Sequence, residues 1–585
     1  MKMTDSEMRT HQGHHNSPTT KRKIIDESHF SFRVHNYKNE EARHCMLPST
    51  MLRYTWKSGL KCRRILVWES AAGCIQSRAP GNSQQSVTQT HPIERHLSST
   101  TSLRSSLDQL REPTIINNGS AISVPFSGDE SSIFHAPWLW VNDPSYVHPT
   151  SGQKLRTPGR FPHRKIVAVE ATWSEGNTNL PSAPPPPPGC LQPHGGVYRT
   201  KLSKDNNNQN SYMMRVTWDD SEVSFYHFDW LTRCRYDDDI LNHQNDIVKV
   251  TKEVALGALH NSSCPKMPTF EYNHVINDDD ALFSALHGIN EHGAVLIENA
   301  PAEPNESIVA SLGKHLSSGS LSHGALYGDV FHVKSTQNPN NIAYTNVPLP
   351  PHQDLAYYES KPYLQLLHCA RNARVVGGES VLIDAMAAAD EFQSLAPDLF
   401  EILTKCDATF LKQREGADMV SRKPHIQCAT STKTGNKKEI TAVNWSPPFE
   451  GPLAIPPMHV KDYFVAYSAL ERMLDSSLPT SIPHVLPVEL ERTLRDYSNN
   501  YTWEWQLQPG QILVFSNQRM LHGRRGFQLQ HRPEDENPAD IGRHLIGCYT
   551  QVDETLSRYR LLLRDRPYRD KHLVRSAGNG VRGSI

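Results

Sequence analysis

Two short stretches hold the residues whose types and spacing could do chemistry. In PPHQD, His352 and Asp354 stand two apart. On extended backbone, residues i and i+2 point to the same side, so an imidazole nitrogen and a carboxylate oxygen could grip one metal ion. A third ligand must come from elsewhere, and His522 offers it just beyond the run QILVFSN, where a barrel mouth would put it. Two histidines and one carboxylate on one face of an ion leave positions open, the arrangement that suits Fe(II) and O2 chemistry.

Taken alone, the triplet also reads as a polar loop closed by aspartate side-chain turns. His227 and Asp229 repeat the same spacing, but Phe225, Phe228 and Trp230 frame them and no later partner follows nearby, so that pair reads as packing. A site at His352 therefore needs a scaffold around it.

The chain has 585 residues, enough for two folded units and extra segments. Lysine and arginine number 61 against 62 acids, a net charge of -1, so no global field draws it to nucleic acid or an anionic membrane. A small-molecule ligand is expected instead. Ten cysteines show no CxxC pair and read as reduced thiols. No apolar run approaches the roughly 18 to 20 residues that span a bilayer. Hydrophobic content of 37% and a mean hydropathy of -0.57 are low, so part of the chain is expected to be unstructured.

That part is placed at residues 1–120, rich in Ser, Thr, Gln, His and Arg without sustained periodicity. From Met51 to Leu107 eight Arg or Lys face only Glu69 and Glu94, the composition of a mitochondrial transit peptide. Residues 121–250 read as a small β domain, with alternating runs KIVAVEATW and MMRVTW separated by a low-complexity insertion over 174–212. Residues 265–565 alternate amphipathic helices with short strands (AVLIEN, GGESVLIDA, PGQILVFS, IGRHLIGCYTQVD), which fits an α+β, mainly β, double-stranded β-helix or jelly roll. Residues 566–585 form a tail.

Over about residues 130–565 the chain resembles the γ-butyrobetaine dioxygenase and trimethyllysine dioxygenase family, within the taurine-dioxygenase-like Fe(II)/2-oxoglutarate enzymes. The resemblance rests on YTNVPLPPHQDLAYYESKPYLQLLHC, GGESVLIDA, FSNQRMLHGRRGF and GRHLIGCYTQVDETLSR, in that order. It implies that His352, Asp354 and His522 ligate iron, that Arg543 anchors the distal carboxylate of 2-oxoglutarate, and that Gln365 and Leu367 line the cosubstrate pocket. Arg519, Arg524 and Arg525 are competing cations. Tyr327, Phe331, Tyr344 and Tyr549 match the aromatic cage that holds a trimethylammonium group, a contact worth about 0.5 to 2 kcal/mol per ring. Phe331 stands where the animal enzyme has tryptophan. Asn341 and Asn444 match residues facing the other end of the substrate.

The resemblance thus implies hydroxylation of γ-butyrobetaine to L-carnitine with Fe(II), 2-oxoglutarate, O2 and ascorbate, and a homodimer. Trimethyllysine, or another small carboxylate or sulfonate, is the rival substrate, and a non-catalytic scaffold the rival of another class. One departure is plain: the family's small domain holds zinc through three cysteines and a histidine, whereas Asp143, Ser145, His148 and Glu222 stand there. No zinc is expected, and Trp138, Trp140, Trp218 and Trp230 are expected to supply the core.

Overall fold

The computed structural model describes residues 112–126, 130–148, 150–174, 211–256, 267–322, 326–334, 342–414, 416–429, 438–479, 486–530, 542–564, 566 and 574–581. The basic stretch from Met51 and most of the low-complexity insertion lie outside these residues. Helices and strands are mixed throughout.

Strands β1 (Thr114–Ile116), β2 (Ala121–Pro125) and β3 (Ser131–His135) pair antiparallel, as do β4 (Ile166–Ser174), β5 (Ser211–Trp218) and β6 (Val223–His227). Among the described residues the first strand thus starts at Thr114, ahead of the boundary expected at 120. Ile122, Phe134, Leu139, Val216 and Trp218 are fully buried, with Trp140 and Trp230 beside them and Trp138 packed at the edge. Each such side chain contributes about 1.5–3 kcal/mol, so the core outweighs any single polar contact here. His227 closes β6 and Asp229 belongs to the helix Phe228–Arg233, so the two do not share a strand.

Arg156 occupies the centre of the region that carries Asp143 and Glu222. Its guanidinium meets Asp143 at 3.4 Å and Glu222 at 2.8 Å and lies 3.1 Å from the Tyr146 ring centroid. Asp143 also accepts from the Ser145 amide and the Ser224 hydroxyl, and Glu222 from Tyr146 and Arg164. His148 is exposed and turned to Thr150 and Ser151, away from this cluster.

The remaining strands are β7 (Thr269–Glu271), β8 (Ala294–Glu298), β9 (Val330–Lys334), β10 (Leu349–His352), β11 (Leu364–Ala373), β12 (Val375–Gly377), β13 (Ser380–Asp384) and β14 (Asp407–Arg414). They continue with β15 (Ala417–Pro424), β16 (Ile426–Cys428), β17 (Ile440–Val443), β18 (Thr502–Trp505), β19 (Ile512–Ser516), β20 (Met520–Arg524), β21 (Phe527–Leu529) and β22 (Gly542–Tyr549). A six-stranded sheet runs β7-β8-β19-β11-β22-β9, and a four-stranded sheet runs β10-β20-β13-β18.

Alternation along each strand sends one set of side chains to each face. Leu364, Leu366, Ile512, Val514, Ile546 and Cys548 join the core formed with helices Asp279–His292, Glu306–Leu316 and Val552–Arg564. Their neighbours Leu367, Leu513, Phe515 and Leu545 face Leu382, Trp503 and Met520 of the smaller sheet. On that sheet's other side, Ile383 and Leu521 pack under helices Ala385–Leu395, Pro397–Lys405, Val460–Leu474 and Val488–Tyr501. The order is helices, sheet, sheet, helices. The expected tail is tied down: Val574 and Ala577 enter the first core, and Arg575 pairs with Glu291 at 2.6 Å.

Candidate active site

His352 and His522 are cross-strand partners on β10 and β20, with ring centroids 4.4 Å apart. Gly523 permits this close pairing, because a Cβ there would come within 2.7 Å of the Leu349 carbonyl. His352 Nδ1 donates to the Pro350 carbonyl at 2.9 Å, and its Nε2 stands 3.4 Å from Asp354 Oδ1. His522 Nε2 lies 3.7 Å from Asp354 Oδ2. Ligand atoms of His352, Asp354 and His522 all fall within 4.8 Å of one another, the one such group among the described residues.

The reason these residues converge differs from the one the spacing suggested. β10 ends at His352, and Asp354 sits in the turn after it, followed by Leu355 at φ 58°, a left-handed conformation that costs a non-glycine residue energy. Asn517 fixes that turn by accepting from the Asp354 amide at 2.9 Å and donating to its carbonyl at 3.0 Å. Asp354 Oδ2 accepts from Gln365 Nε2 at 2.9 Å and Tyr549 Oη at 2.7 Å.

Burial works against ionising Asp354, but the flanking imidazoles and the Tyr549 hydrogen bond outweigh it and hold its carboxyl well below the usual range. Burial, with His352 adding to it, pushes His522 down to about 3. The cluster thus brings a carboxylate together with two imidazoles, groups that bind a cation with the carboxyl ionised and the rings neutral. The donor set, two imidazoles and a carboxylate, fits a divalent transition metal.

A cleft of about 890 Å³ opens on this triad. It is lined by Arg543, Arg524, Ser380, Val333, Leu367 and Leu545 together with the rings of Tyr327, Phe331, Tyr344, Tyr357, Phe449 and Tyr549, with Arg543 and Tyr549 near opposite ends of β22. Arg543, Leu545 and Tyr549 alternate along β22 and reach the cleft from one strand. Burial and the neighbouring Arg524 push Arg543 down to about 10.

Among the described residues Arg543 has no carboxylate partner, whereas its competitors are engaged. Arg524 donates to the Ala343, Thr345 and Val347 carbonyls, Arg519 pairs with Asp384 at 2.7 Å, and Arg525 pairs with Glu504. A buried guanidinium facing an open cleft suits an anionic ligand.

Of the expected substrate residues, Tyr327, Phe331, Tyr344 and Tyr549 line the cleft, and Phe331 stacks on Tyr549 at 4.9 Å. Asn341 lies outside the described residues. Asn444 is not part of the lining: its Oδ1 accepts from Lys361 at 3.0 Å and its Nδ2 donates to the Pro424 carbonyl at 2.9 Å, so both ends of the amide are spent in the interior. Gln365 and Leu367 also line the cleft; Gln365 Nε2 donates to Asp354, while its buried Oε1 has no hydrogen-bond partner among the described residues. Tyr357 and Phe449 were not anticipated, although the YY pair after PPHQD is an aromatic signal in its own right.

The family described as Taurine catabolism dioxygenase TauD, TfdA family matches residues 257–549. The chain is 28% identical over 349 residues to the gamma-butyrobetaine dioxygenase of Pseudomonas sp. (strain AK-1), covering 60% of this chain and 78% of that protein. It is 26% identical over 357 residues to dioxygenase str8 of Strobilurus tenacellus, covering 60% and 74%. It is also 26% identical over 361 residues to the mitochondrial trimethyllysine dioxygenase of Mus musculus, covering 60% and 72%. The chain is a 2-oxoglutarate-dependent dioxygenase and belongs to the TauD, TfdA family.

Proposed function

We propose that this enzyme hydroxylates a small trimethylammonium carboxylate, γ-butyrobetaine to L-carnitine, with Fe(II) held by His352, Asp354 and His522. The observation that carries the reading is that the triad shares one cleft with a buried arginine, Arg543, and a set of aromatic rings. The two facing sheets are read as the double-stranded β-helix of this enzyme class.

Iron bound there supplies the O2 chemistry, with 2-oxoglutarate consumed to succinate and CO2 and ascorbate as reductant. The chain's own work is positional. Asp354 stays ionised and is aimed by Tyr549 and Gln365. Arg543 pairs with the distal carboxylate of 2-oxoglutarate, while Leu367, Leu513 and Leu545 keep that end dry. Tyr327, Phe331, Tyr344 and Tyr549 offer ring faces to a cation that donates no hydrogen bond.

Trimethyllysine is the second reading. Its α-ammonium group calls for an acidic partner, and Asp354, assigned to the metal, is the only carboxylate among the described lining residues, which favours γ-butyrobetaine. The composition from Met51 to Leu107 and the mitochondrial relative support a mitochondrial location. No helix among the described residues is long and apolar enough to cross a membrane.

The test is to incubate the full chain with Fe(II), ascorbate, O2 and 2-oxoglutarate, offer γ-butyrobetaine, trimethyllysine and taurine separately, and follow succinate and product mass. Hydroxylated γ-butyrobetaine is the expected product. Turnover of trimethyllysine instead would keep the mechanism and correct the substrate, and substantial succinate formation by His352→Ala or Asp354→Ala would sink the triad.

A further inference from the structure

We infer that Lys361 is a positioning residue for the metal triad, acting through Gln353, the residue between two of the three proposed ligands. The inference rests on the reading of His352, Asp354 and His522 as a metal site.

Lys361 is 4% exposed, and its Nζ donates to Gln353 Oε1 at 2.8 Å, the Val443 carbonyl at 2.9 Å and Asn444 Oδ1 at 3.0 Å. Three acceptors engage all three ammonium hydrogens. Among the described residues no carboxylate compensates this charge, so its burial is tolerable only through those three bonds. A methionine would fill the space without that cost, which points to a purpose beyond packing.

That purpose is visible at Gln353, itself fully buried. Its amide donates to the Trp445 carbonyl at 2.8 Å, and its carbonyl accepts from Ser446 Oγ at 2.9 Å. Its Nε2 donates to the Gln518 carbonyl at 2.9 Å, which leaves Oε1 to receive Lys361 and, at 3.2 Å, the Trp445 amide. Every polar atom of the residue joining His352 to Asp354 is therefore fixed. The same lysine returns a bond through its carbonyl, which accepts from Gln518 Nε2 at 2.6 Å. Gln518 lies in the turn leading into β20 and His522. Lys361 thus ties the turn holding Asp354 to the turn that delivers His522, with the 443–446 segment as the third leg. None of these residues lines the cleft, so a substitution here removes no group that would itself touch a ligand.

The test uses the full chain with Co(II) as the metal probe, reading affinity by chelator competition, the visible spectrum of bound Co(II), and thermal stability. Lys361→Met is expected to weaken Co(II) binding about tenfold or more and to alter its spectrum, the scale seen when residues that orient metal ligands are lost. Asn444→Ala removes one lysine partner but spares Gln353, and is expected to bind Co(II) like the wild type. If Lys361→Met does not fold, Gln353→Ala cuts the same link while keeping the ammonium bonded to Val443 and Asn444, and is expected to show the same loss. Wild-type affinity and spectrum in the folded Lys361→Met chain, or in Gln353→Ala where it replaces it, would overturn the proposal. A wild-type chain that binds no divalent ion would remove the metal reading and this inference together, whereas tight wild-type binding with an unchanged variant removes this inference alone.

Discussion

Tyr549 Oη donates to Asp354 Oδ2 at 2.7 Å, so an aromatic ring of the cleft also aims the carboxylate of the triad. Gln365 Nε2 reaches the same oxygen at 2.9 Å, which leaves Oδ1 on the side of His352. Tyr549→Phe keeps the ring stacked on Phe331 and removes only the hydroxyl. The apparent Fe(II) constant is expected to rise about tenfold, with the substrate KM little changed. A rise in substrate KM with metal affinity intact would show that the hydroxyl serves the substrate instead.

Among the described residues Arg543 is the cleft arginine without a carboxylate partner, while three carbonyls occupy Arg524. A charge-assisted pair is worth about 1.5–3 kcal/mol, so Arg543→Met is expected to raise the KM for 2-oxoglutarate by about 10- to 150-fold. The organic substrate's KM should stay near the wild-type value, because Arg543 and the proposed ring Tyr549 stand near opposite ends of β22. Steady-state kinetics with each substrate varied in turn would decide it, and equal effects on both would assign Arg543 to general architecture.

Much of this arrangement was legible in the chain. The continuous apolar runs ILVF and LIGC announce strands buried on both faces, and β19 and β22 follow, with one face on helices and one on the opposite sheet. The nearness of His352 and Asp354 was legible too, but for the wrong local reason: a left-handed Leu355 and the Asn517 clasp, not a shared strand face, set Asp354. Such devices depend on residues more than 150 positions away and leave no local periodicity. Asn444 misled because matching positions say nothing about a competing buried partner, and Lys361, in ESKPY, has the look of a surface charge. Likewise, Arg156 gave no sequence signal of the cluster it centres.

Gly547 faces Phe331 across the β9–β22 pair, and a Cβ at 547 would collide with the Phe331 ring. Gly547→Ala must therefore push that ring away from Tyr549 and disturb the aromatic set without touching Arg543. The substrate KM is expected to rise several-fold while the KM for 2-oxoglutarate and the Co(II) affinity hold. A parallel rise in the 2-oxoglutarate KM would mean that β22 itself has shifted.

At Arg156, the guanidinium pairs with an Asp143 that is 1% exposed. Removing one partner of a buried pair costs about 3–5 kcal/mol, because the other charge stays buried, so Arg156→Met should lower the melting temperature sharply. Zinc added to the variant should not restore it, and metal analysis of the wild-type chain should return no stoichiometric zinc. Rescue by zinc would show that Asp143, Glu222 and His148 can still close on a metal.

Glu450 supplies a pH dependence whose sign is fixed. Burial pushes its carboxyl up to about 7 in the fold, against a hydrogen bond from Tyr467 Oη at 3.2 Å, with Glu471 adding to the rise. The folded chain then holds this proton while the unfolded chain, titrating near 4.5, releases it. Between these values the native state binds more protons, so stability falls as pH rises through the window and levels off above about 7. Glu450→Gln cannot titrate and can still accept from Tyr467. It is expected to match the wild type near pH 4 and exceed it by about 1–3 kcal/mol at pH 8, the full shift being reduced because the site is only partly closed to solvent. Urea unfolding at the two pH values measures the difference. An equal gain at both would trace it to packing and not to the proton.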